Sequence, residues 1–111
     1  MRRKALTRFL MPPFLEVGTR NVRMILAPHV NFYLTDNGGI LQNRKTGGWW
    51  ELNRLGAIAL HLMLNGESVE FVGRRISVNF QLSESIVVVG VLALLRDLQF
   101  KQLAYYGTGV R

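Results

Sequence analysis

Residues 47–66 read GGWWELNRLGAIALHLMLNG, and the change of period inside this stretch decides the fold. Gly47-Gly48 signals a turn, the residues from Trp49 to Leu52 suit a strand, and the pattern then becomes helical as far as Asn65-Gly66. Asn53 is a good N-cap, because its side-chain oxygen can accept from a free amide of the first turn. Asn65-Gly66 is a C-cap pair, glycine being the residue that enters a left-handed conformation at least cost. Between the caps, Leu55, Ile58, Ala59, Leu60, Leu62, Met63 and Leu64 leave hardly any polar face. Such a helix belongs at the centre of a core. The short strand that runs straight into it is therefore held rigidly.

On the N-terminal side, Val30, Phe32 and Leu34 alternate with Asn31, Tyr33 and Thr35, the period of a half-buried strand. Asp36-Asn37-Gly38-Gly39 predicts a hairpin, since Asn and Gly accept the positive φ of primed turns. Residues 40–44 form the return strand, and Lys45-Thr46-Gly47-Gly48 turns the chain into the third, at Trp49–Leu52. Two tight turns in succession predict a three-stranded antiparallel meander whose third strand has one open edge.

On the C-terminal side, Ser68 is the expected N-cap of a second helix with Val69, Val72, Ile76 and Phe80 on one face. Phe71, Gly73 and Val78 are odd residues for its outer face. Ser83 caps a last helix over about 84–103, with Glu84 near the positive end of its dipole. Val87, Val91, Leu94 and Leu98 make the expected apolar stripe of this helix, and Val88, Leu92 and Leu95 make a second one about 100° round. Either the sheet covers that second stripe, or it is one wall of a groove left for a ligand. The predicted class is α+β, winged-helix-like: a three-stranded antiparallel sheet followed by three helices.

The chain of 111 residues fits one domain, and 49% hydrophobic against 19% charged residues supports a packed core. Its net charge of +7 is unevenly spread. Residues 1–23 carry Arg2, Arg3, Lys4, Arg8, Arg20 and Arg23 against Glu16 alone, so the basicity belongs to an arm, expected to be disordered. The domain proper is expected over 24–103, with 104–111 a frayed tail. The absence of cysteine excludes a disulfide framework and a thiolate metal site, and is compatible with a cytoplasmic location. No apolar run is long enough to span a bilayer.

The order of elements and an ordered set of residues resemble the PqqD-like fold, the RiPP recognition element, and within it the stand-alone leader-binding proteins of lasso-peptide maturation. The matching residues are Pro28-His29-Val30, Thr35-Asp36, Gly38, Trp49-Trp50, Leu52-Asn53, Gly56-Ala57, Leu64-Asn65-Gly66, Ser68, Arg74-Arg75, Phe80, and Leu94-Leu95 with Leu98 and Leu103. Gly90 departs from the pattern, which usually has an acidic residue there. The resemblance implies a protein that binds the leader of a ribosomally made precursor as an extra antiparallel strand on the third strand, over the last helix. It also implies delivery of that precursor to a leader peptidase and an ATP-dependent macrolactam cyclase. The implied peptide-binding residues are the edge Trp49, Trp50, Glu51 and Leu52, the floor Val88, Leu92 and Leu95, and Arg96 at the margin. Lasso leaders typically present a Tyr, a Pro and a Leu, which would suit an apolar trough.

Catalytic chemistry finds no foothold in the sequence. His29 and His61 are the only histidines, no metal-ligand spacing occurs, and the acidic residues are scattered among turns, caps and exposed faces. No enzyme activity, cofactor, metal or membrane partner is expected. The alternative from another class is a winged-helix DNA-binding protein, but Arg74-Arg75, Arg96 and Lys101 are sparse for a recognition helix, so no nucleic-acid partner is expected either. Self-association through the open edge is a further expectation, as is cytoplasmic residence.

Overall fold

The computed structural model describes residues 23–107, so the arm up to residue 22 and residues 108–111 lie outside the described residues. The elements in chain order are β1 (Arg23–Leu26), β2 (Val30–Thr35), β3 (Gly38–Asn43), β4 (Trp49–Leu52), α1 (Arg54–Leu64), α2 (Val69–Phe80), α3 (Glu84–Phe100) and β5 (Ala104–Gly107). The strands β2, β3 and β4 form the expected antiparallel meander, and β1 pairs with β5 in a separate antiparallel ribbon.

The helix starts follow from side-chain capping. Asn53 accepts from the Gly56 amide at 2.7 Å, and Ser68 accepts from the Phe71 amide at 3.0 Å. Ser83 sits at the start of α3 without such a bond; its hydroxyl meets that of Ser85 at 3.1 Å. Gly66, at φ +98°, ends α1 with the Glu67 amide donating back to Leu62 and the Gly66 amide to Met63, the paired bonds of a left-handed helix stop. The helix so bounded is the hub. It packs against β1, β3, β4, α2 and α3, with Ala57, Ala59, Leu60 and Met63 buried.

Two turns reach the same hairpin by different means. Between β3 and β4, Gly47 has φ +83°, and the Asn43 carboxamide accepts from the amides of Lys45 and Thr46. At Asp36-Asn37 no residue has a positive φ, which corrects the expectation of a primed turn. Gly38 and Gly39 are needed for closeness instead. A Cβ on Gly38 would collide with the carbonyl oxygen of Leu52, and one on Gly39 would stand 2.8 Å from the Phe32 ring and 3.0 Å from Ala57 Cβ.

The ribbon is the part that the sequence did not announce. Arg23, assigned to the arm, is the first residue of β1, and its guanidinium donates to the Leu64 carbonyl at 2.6 Å. The residues expected to fray at 104–107 are a strand. The cause is Gln102, left-handed at φ +59°, which stops α3 after Phe100 and turns the chain back. The Leu103 amide then donates to Leu98, the Leu103 carbonyl accepts from Ala27, and Leu103 and Ala104 are buried.

Candidate functional site: an open strand edge above an apolar cleft

β4 has β3 on one side and no strand on the other. The bond from the Asn43 amide to the Gly48 carbonyl fixes the phase of the ladder beyond it. Hydrogen-bonded and non-hydrogen-bonded pairs alternate along an antiparallel pair. Counting on from Asn43–Gly48, the pairs Leu41–Trp50 and Gly39–Leu52 bond to each other, so the amides and carbonyls of Trp49 and Glu51 face the open edge. These four groups are what a further strand would use.

Side chains on β4 alternate in the opposite sense. Leu52 is buried, and Trp50 is half-buried against the core toward the helices. Trp49, at 45% exposure, lies on the outer face with Glu51. The outward tryptophan was the expected ligand contact; it is Trp50 that lines the space between β4 and α3, together with Leu98 and Lys101.

That space widens beyond Leu52 into a cleft of about 910 Å³. Its walls are the ends of β3 and β4, the first turns of α1 with Leu55 and Gly56, Ile76 of α2, and Ile86, Val87, Gly90, Val91 and Leu94 of α3. Leu82 and Ile86 stand at its rim, 43% and 69% exposed, an unusual position for residues of this kind in a protein without a partner. Glu51 is the only charged residue in the lining, and it forms no ion pair among the described residues. At the Trp50 end, Lys101 and Asp97 pair at 2.9 Å beside the narrower crevice. A Cβ added at Gly90 would meet nothing within 4 Å, so this position leaves the cleft wider than any other residue would.

The groove face of α3 is therefore the first stripe, extended by Gly90, Asp97 and Lys101 at three- and four-residue spacing. The second stripe is a correction. Val88 fills the gap over Gly73 so closely that a Cβ on Gly73 would collide with it. Leu92 is partly buried and Leu95 is 1% exposed. The whole stripe faces α2 and not a ligand. This also accounts for glycine inside a helix at position 73: it lets α2 and α3 approach. Arg96 is exposed and lies about 200° from Leu98 round the helix, away from the groove. The cation at the groove margin is Lys101. Leu95→Asp is accordingly expected to unfold the domain, at a cost above about 3 kcal/mol for an unpaired charge in the core. Thermal denaturation followed by circular dichroism would show it.

The comparisons can now be set beside this geometry. No family model matches the sequence, and no curated protein matches it significantly. Three solved structures do match in shape. A lasso peptide synthetase B1 complexed with the leader peptide superposes with a TM-score of 0.69 over 75% of this chain and 98% of its own, at 23% identity. TbiB1 in complex with the TbiA(beta) leader peptide gives 0.65 over 78% and 98%, at 21% identity. The PqqD part of PqqCD from Methylobacterium extorquens, a stand-alone RiPP recognition element solved by solution NMR, gives 0.63 over 81% and 95%, at 15% identity. The chain has the PqqD-like fold. In this PqqD-like chain the open edge of β4 and the first stripe of α3 enclose one continuous groove, apolar at the wide end and bordered by an ion pair at the narrow end.

Proposed function

We propose that this protein is a leader-peptide-binding adaptor of a RiPP pathway, with a recognition role and no catalysis of its own. The observation that carries the reading is the pairing of an unsatisfied strand edge with an apolar cleft beside it. A peptide strand added at β4 would take up the free amides and carbonyls of Trp49 and Glu51, while alternate side chains dip toward α3. The two leader-bound structures of the same fold support the choice of ligand class. The binding residues proposed are the backbone of Trp49 and Glu51, the side chains of Trp50 and Leu52, and Ile86, Val87, Val91 and Leu94 on α3. Delivery of the bound precursor to a leader peptidase and a macrolactam cyclase, as in lasso-peptide maturation, completes the proposal. No described helix is long and apolar enough to cross a membrane.

The DNA-binding alternative is not favoured, since the concave surface is apolar and its one unpaired charge, Glu51, would repel phosphate. The test is a titration with a labelled leader peptide from the precursor encoded beside this chain, and with duplex DNA, at 50 and 200 mM salt. Strand addition predicts leader affinity that changes by less than about threefold, because its main contacts are neutral. A phosphate-driven complex would lose about 10³-fold or more over that range. DNA binding of that kind, with no saturable leader binding, would refute the adaptor.

A further inference from the structure

We propose that the groove is occupied in the resting protein by the chain's own N-terminal arm, residues 9–17, so that a leader must displace it. The inference concerns the regulation of the site proposed above and rests on that site being a strand-accepting groove. Three observations carry it.

The first is composition. The arm contains Phe9-Leu10-Met11-Pro12-Pro13-Phe14-Leu15-Glu16-Val17, eight uncharged apolar residues around one acid. A solvated linker has no need of such a run. The described domain offers a matching exposure in the cleft rim at Leu82 and Ile86.

The second is length and direction. Phe14-Leu15-Glu16-Val17 has four residues free of proline, the length of β4. Only the edge groups of Trp49 and Glu51 need partners, so the prolines just before this segment remove no bond that β4 requires. Set antiparallel on β4, the segment runs from the Leu52 end to the Trp49 end. Phe9-Leu10-Met11 then falls beyond Leu52, where the cleft is widest. Val17 emerges near Lys101 and Leu103, the side from which the β1–β5 ribbon starts. Six residues lead from Val17 to Arg23, an extended reach of roughly 20 Å. The domain measures 35 × 32 × 23 Å, and β1 itself accounts for about 10 Å of that path.

The third is charge. The wide cleft has Glu51 as its only charged lining residue, without an ion-pair partner among the described residues. The arm carries Arg8 immediately before its apolar run and Arg2, Arg3 and Lys4 further back. Antiparallel addition brings these bases to the Leu52 end, toward that acid.

A tethered segment of this kind competes at an effective concentration of about millimolar. The probe is a synthetic, fluorescein-labelled peptide of residues 5–22, titrated by anisotropy into the full chain and into full-chain Leu15→Asp. In the wild type the tethered copy excludes the probe; in Leu15→Asp the groove is free, and the probe should bind at least about tenfold more tightly. Adding Ile86→Asp, at an exposed rim position, to the Leu15→Asp chain should remove that gain. Equal affinities for the wild type and Leu15→Asp, or no saturable binding to either, would overturn the proposal while leaving the leader titration to decide the adaptor reading by itself. Sedimentation showing a dimer that Leu15→Asp dissociates would overturn occupancy within one chain in favour of exchange between two copies.

Discussion

Glu51→Pro is expected to weaken leader binding at least about tenfold while the domain stays folded. The ladder phase set by Asn43 and Gly48 turns the Glu51 amide toward the open edge, where it bonds to no strand of its own sheet. Proline removes that donor and puts ring carbons where an incoming strand must approach, and prolines are tolerated on edge strands for the same reason. The loss of one hydrogen bond is worth about 1 kcal/mol, and obstruction of the neighbouring pair adds to it, so tenfold is a lower bound. Calorimetry with the leader and a melting curve of the free protein would measure both halves. A melting temperature that collapses would mean that Glu51 bonds to β3, and the edge would then offer Trp50 and Leu52 instead.

Gly38→Ala should do the reverse, striking the fold first and binding only through it. Its Cβ would press on the Leu52 carbonyl and come 3.1 Å from the Asn53 carbonyl carbon, both backbone atoms that no rotamer can move aside. Relief requires β4 to shift from β3 just before α1 begins, with the loss of the Gly39–Leu52 pairing. Overpacking of this kind costs about 3 kcal/mol, which in a domain of this size lowers the melting temperature by roughly 10–20 °C. Gly47→Ala gives a useful contrast. It has open space around it and should lose only the smaller cost of a left-handed alanine, about 1 kcal/mol.

What could be read from the sequence was whatever is set by neighbours in the chain. Asn53, Ser68 and Asn65-Gly66 act within one helical turn, and each delimits its helix as the residue types require. The meander also followed, because both its turns are local. The ribbon did not, since Met24 and Tyr106 find each other only across the whole domain and neither four-residue strand carries an alternation to announce it. The groove was half legible. Its edge, Trp49 to Leu52, came from the meander, but the choice between the stripes of α3 depends on which neighbour lies over each. The clue was present in Gly73: a glycine within a helix called for a close companion, and Val88 of the second stripe is that companion. With the second stripe spoken for, the first was left to face the peptide.

The ribbon has a mechanical consequence. Arg23 is opposite Gly107 at its outer end and Leu26 opposite Ala104 at its inner end, so the chain enters and leaves the domain side by side. Tension applied through both termini would peel the two strands apart one pair at a time, beginning at Arg23 and Gly107, instead of loading all the pairs together in shear. The domain should yield at low force when pulled by its ends, and the bond between Arg23 and the Leu64 carbonyl would be among the first to part.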